Sequence, residues 1–166
     1  IPYELNNDYT VKNGNLECKR IICCKANKGK VSNFEFTVVS STWNDAKNIN
    51  VVCYDLRHNS KHEIVPNLKS YNGYAKRFIF GLNKAVSKGE DIQVKLNYIN
   101  EGCMEAEKCY IVADTKYKKL DLKKYIINII FIDIKPSNVR VYRINHFKRT
   151  YEFVEKLFPF DKKSKE

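Results

Sequence analysis

The chain has 166 residues, 43% of them hydrophobic and 13% aromatic, with only 6 Gly and 4 Pro. That is enough apolar surface for one core, and too little Gly and Pro for a collagen-like or linker-like chain. Lys and Arg number 30 against 19 Asp and Glu, a formal net charge of +11, which admits an anionic partner or simply a solvated, lysine-rich surface. The longest apolar run, residues 125–134, is about ten long and interrupted by Asn128 and Asp133, so no helical membrane span is expected. The chain opens on Ile1 with no signal-like apolar run behind it, which points to a piece of a larger protein.

Taken in chain order, the elements read as strands. "LECKRIICCK" (16–25) is an early strand, and "NFEFTVVS" (33–40) alternates Phe34, Phe36 and Val38 on one face. "NINVVCYDL" (48–56) sets Ile49, Val51 and Cys53 against Val52, Tyr54 and Leu56. In "RFIFGL" (77–82), Phe78, Phe80 and Leu82 point inward, and a connection containing Gly89 leads to "IQVKLNYI" (92–99). There Ile92, Val94, Leu96 and Tyr98 share one side and Gln93, Lys95 and Asn97 the other, the period-2 signature of a half-buried strand. "CYIVAD" (109–114) is short and apolar, and "KKYIINIIFIDIKPSNVRVYRIN" (123–145) divides at Pro136, Ser137 and Asn138 into two strands.

The C-terminal stretch breaks this pattern. Phe147, Tyr151, Val154 and Phe158 recur at four, three and four residues, a spacing that predicts an amphipathic helix ended by Pro159. The expected organisation is a β-sandwich over 1–145, a helix over 146–160 packed on it or leading away from it, and a basic solvated tail over 161–166. Eight or nine strands at turn-separated spacing imply a mainly β, antiparallel sandwich. In this layout residues 9–145 resemble the immunoglobulin-like β-sandwiches, a class whose shared architecture transfers no site. The Cys–Trp–Cys spacing of antibody domains is missing, since Trp43 sits in the loop-like "SSTWNDAKN".

Chemistry is sparse. Of six cysteines, Cys18, Cys23 and Cys53 lie in apolar strand patterns where a thiol acts as a small hydrophobe, which favours a reducing cytoplasmic compartment over secretion. Cys103 and Cys109 in "CMEAEKC" form the best disulfide or metal candidate, though their five-residue gap is not that of a zinc knuckle. A weak metal candidate combines Cys53 with His58 and His62, but "RHNSKHE" reads as a loop and lacks the order of a zinc hydrolase motif. No nucleophile elbow, phosphate-cradling loop or calcium-loop spacing occurs, so no cofactor and no catalytic residue is expected.

What remains is surface. Lys116, Lys118, Lys119, Lys123 and Lys124, interleaved with Tyr117 and Tyr125, join Arg140, Arg143, Lys148 and Arg149 as a candidate platform for nucleic acid or another polyanion. The competing reading is that such lysines guard hydrophobic strand edges. The sequence therefore favours a non-enzymatic binding module, a sensor or accessory domain of a larger protein whose partner is another protein or domain. A nucleic-acid-binding domain is the alternative, and an enzyme with an unrecognised site the third reading.

Overall fold

The computed structural model describes residues 2–27, 29–39, 49–57, 63–73, 75–104, 111, 124–133, 136, 139–145 and 150–157. Ten strands account for most of them: β1 (Pro2–Lys12), β2 (Asn15–Lys25), β3 (Val31–Val39), β4 (Asn50–Asp55), β5 (Asn67–Tyr71), β6 (Ala75–Val86), β7 (Asp91–Asn100), β8 (Lys124–Phe131), β9 (Val139–Asn145) and β10 (Thr150–Leu157). Contacts divide the chain into two compact units, 1–133 and 134–166.

The first unit holds two sheets. One has five strands in the order β4-β7-β2-β1-β8, and the other has three in the order β3-β6-β5. All pairs are antiparallel except β1 with β8, which run parallel, so the larger sheet is mixed rather than wholly antiparallel as expected. The β1–β2 hairpin closes through Asn13 and Gly14, whose φ angles of 49° and 72° suit the two-residue turn that matches strand twist. The stretch 76–99 is framework, but not a paired hairpin. The turn at Gly89 (φ 88°) carries the chain from β6 in the small sheet to β7 in the large one.

Alternation explains why these sheets share a core. Phe34, Phe36 and Val38 of β3 and Phe78, Phe80, Leu82 and Val86 of β6 are buried together with the inward residues of β1, β2, β4 and β7. The Phe36 ring stacks on Phe78 at 5.5 Å between centroids and meets Phe80 edge-on at 6.1 Å. Each such buried ring stabilises by about 1.5–3 kcal/mol, and its aromatic neighbour adds about 0.5–1.5 kcal/mol. Polar ties also cross between the sheets. Asp55 on β4 accepts from the Asn83 backbone N–H at 3.1 Å, and Arg57 Nη2 donates to the Lys84 carbonyl at 2.8 Å. β7 and β8 run in the same direction, so no tight turn joins them, and Ile111, which lies between them in sequence, packs against the core.

The second unit contains the β9–β10 antiparallel pair. Here the helix expected over 146–160 gives way to a strand at Thr150–Leu157, while 146–149 and 158–160 lie outside the described residues. Tyr151 pairs with Ile144 and Phe153 with Tyr142, and the register then shifts between Phe153 and Glu155. That bulge breaks the period of two after Tyr151, so the three-residue step from Tyr151 to Val154 imitates a helix. Thr150, Tyr151, Phe153 and Val154 are also strand-favouring types, and β9 lies within reach for pairing. Among the described residues no helix is long and apolar enough to cross a membrane.

Candidate functional site

The sequence-derived candidates are divided between the two units or lie outside the described residues. Lys124 opens β8, exposed and 3.5 Å from Glu4. Arg140 is exposed on β9 of the second unit, where it pairs in register with Lys156, and Arg143 pairs with Glu152. Lys116, Lys118, Lys119, Lys123, Lys148 and Arg149 lie outside the described residues, as do His58, His62 and Cys109. Among the described residues no group of three metal-ligating side chains occurs.

Cys53, the third metal candidate, is fully buried, and burial pushes its thiol up to about 12. Burial likewise takes Cys24 up to about 11 and raises Cys18. A thiol so far above neutral pH stays protonated and is a poor nucleophile or ligand. Around Cys18 the inner face of the large sheet also buries polar groups. Arg20 Nε donates to Asn7 Oδ1 at 2.6 Å and Nη2 to the Tyr9 hydroxyl at 3.5 Å, while burial drives the Tyr98 phenol well above its ordinary value. This cluster spans the paired positions Asn7–Arg20 and Tyr9–Cys18–Tyr98, all of them buried. It specifies register more than it offers a site.

The outer face of the same sheet differs. Strand register sets Asn50, Ile99 and Glu17 in one row across β4, β7 and β2, and Val52, Asn97 and Lys19 in the next. These six, with Glu101 two residues beyond Ile99, line a shallow hollow of about 330 Å³. Its apolar wall includes Ile99, which is 45% exposed. At its floor the Asn97 Oδ1 atom is buried and accepts no hydrogen bond. One row further, Lys95 stands 5.6 Å over the Tyr54 ring, and the Tyr54 hydroxyl donates to Glu63 at 3.2 Å. Burial first and that hydrogen bond second raise the Tyr54 phenol.

Carboxylate pairing makes the hollow distinctive. Elsewhere among the described residues of the first unit, acids are matched: Asp91 with Lys25 at 3.2 Å, Glu35 with Lys69 and Arg77, and Asp55 with Arg57 at 2.6 Å. Asp8 accepts from Asn128, Glu90 from the Ser87 backbone, and Asp133 from the Asn13 backbone. Glu17 and Glu101 have no such partner, and both line the hollow. Sequence reading missed them because outward polar positions on strands are ordinary, and only the register between β2 and β7 brings these two together. No protein-family model matches the chain, and no curated protein matches it.

Proposed function

We propose that this chain is a non-enzymatic binding module, an immunoglobulin-like β-sandwich serving as a sensor or accessory domain, which meets a protein or neighbouring domain through the outer face of its five-stranded sheet. The observation that carries the reading is the hollow between β4, β7 and β2. It combines an exposed apolar wall, an unused buried acceptor and two unmatched carboxylates on a rigid sheet. Rigid framework with unspent polar capacity is what a specific interface needs, since little ordering entropy is lost when it binds. The buried thiols support the same reading, because their raised pKa values leave them poor nucleophiles.

A photoreactive side chain placed at Ile99 tests this in the cells that make the protein, with the same group at the exposed Ser70 on β5 as control. A discrete protein adduct from position 99 alone, lost when Val52 is changed to Arg, is the expected result. Equal adduct patterns from both positions would remove the outer face from consideration. Adducts to nucleic acid would instead favour the polyanion reading.

A further inference from the structure

We infer that the hollow receives a basic side chain, arginine or lysine, carried on an extended segment of the protein partner. The inference rests on reading the outer face as a binding surface and adds the chemistry of what fills it. Three observations converge. Glu17 and Glu101 are the carboxylates of the first unit's described residues without an ion-pair or hydrogen-bond partner, in a chain whose formal charge is +11. An excess of cations would ordinarily neutralise such groups, as it does around Glu4, Glu35, Asp55 and Asp91, and the remaining described acids of the unit accept hydrogen bonds from neutral donors. Val52 and Ile99 supply an apolar wall suited to the aliphatic stem of a lysine or arginine, which buries its methylenes while its head finds charge. Asn97 Oδ1 adds an acceptor with nothing to accept, which a backbone N–H of the incoming segment would satisfy.

Position fixes the direction of entry. Glu17 is paired with Ile99, and Glu101 follows two residues later, so both carboxylates lie at the end of the hollow near the β7 terminus. Lys19 is paired with Asn97 at the other end and repels a cation there. The basic head therefore sits over Glu17 and Glu101, with its stem running along Ile99 and Val52 toward the centre of the sheet. Two carboxylates around one guanidinium give charge-assisted hydrogen bonds, about twice as strong as neutral ones.

The test uses the full chain and two synthetic peptides, acetyl-Val-Arg-Val-Arg-Val-amide and its counterpart with citrulline in place of arginine, which keeps the shape and loses the charge. Backbone amide shifts are followed by NMR as each peptide is added. The arginine peptide is expected to move Glu17, Lys19, Asn97, Ile99 and Glu101, with the citrulline peptide weaker by about ten-fold, a difference of about 1.4 kcal/mol. Glu17→Gln combined with Glu101→Gln should weaken the arginine peptide by a similar factor; both substitutions keep the side-chain volume and leave the strands intact. Equal binding of both peptides at the hollow would overturn the charge assignment while leaving the outer face as a binding surface. Failure of the arginine peptide to shift these residues, or shifts confined to other faces, would overturn the assignment as well.

Discussion

The same strands present two faces that use polar groups in opposite ways. On the inner face each buried polar group answers another: Arg20 reaches Asn7 and Tyr9, and Asp55 collects Arg57 and the Asn83 backbone. On the outer face Glu17 and Glu101 stand unmatched, and the Oδ1 atoms of Asn97 and Asn6 are buried without a donor. A buried unsatisfied acceptor costs about 1–3 kcal/mol, which folding alone gives no reason to retain. The difference separates a face whose buried polar groups are spent on the fold from one on which several are left without a partner. Substitutions on the two faces should diverge accordingly.

The largest effect is expected from the inner side. Phe80, 2% exposed and packed against both Phe34 and Phe36, should cost about 3–5 kcal/mol when replaced by Ala. Chemical denaturation of the two proteins side by side measures this. A loss below about 1 kcal/mol would mean the two sheets do not share the core described above. Next comes Asp55→Asn, which keeps the shape but weakens the bonds from Arg57 and Asn83, and should cost about 1–3 kcal/mol. Burial opposes ionisation of Asp55, yet the hydrogen bonds from the Arg57 side chain, those from the Arg57 and Asn83 backbone, and the Arg57 charge hold its pKa below the ordinary 3.8. A carboxyl depressed on folding contributes stability that is complete above its unfolded value and drains away as pH falls through the folded one. The native protein should thus lose stability below about pH 4 more steeply than Asp55→Asn does, as read from melting temperature across that range.

Much of the inner face was legible in the sequence and almost none of the outer. Alternating runs such as 34–38 and 92–98 mark buried positions directly, because a strand facing one core must repeat every two residues. β1 escaped because "NNDY" breaks its apolar alternation with Asn7, which is buried to serve Arg20. Its Asn13–Gly14 turn was the local signal that could have revealed the hairpin. β5 escaped because all five of its residues are exposed, so it carries no burial pattern to find. β10 was hidden by its bulge. The hollow was beyond reach for a different reason: Glu17 and Glu101 are far apart in sequence, and their proximity is a consequence of β2–β7 register.

Neighbouring cysteines give a sharper contrast without mutation. Cys23 lies on the outer side of β2, paired with Gln93, while Cys24 points into the core beside Ile92. Burial raises both thiols, with Cys24 reaching about 11, and Glu4 contributes to the rise at Cys23 while a Gln93 hydrogen bond opposes it. Alkylation of the folded protein near pH 8 should modify Cys23 before Cys24, with Cys18 and Cys53 reacting only after unfolding, as peptide mass spectrometry would reveal. Equal rates at Cys23 and Cys24 would erase the distinction between the faces at this position.

The smallest effect is the most informative for function. Ile99 has already given up little water, being 45% exposed, so Ile99→Ala forfeits only part of the transfer energy that a core isoleucine would. Glu17→Gln and Glu101→Gln remove no observed bond. Each of the three should therefore change stability by no more than about 0.5 kcal/mol. Denaturant midpoints for the three variants, set beside Phe80→Ala, measure the contrast directly. A cost above about 2 kcal/mol at Ile99 would show that other parts of the chain lie over the hollow and use it for folding. Stability that stays level while binding of a basic peptide falls would instead mark these side chains as kept for a partner, since nothing in the fold depends on them.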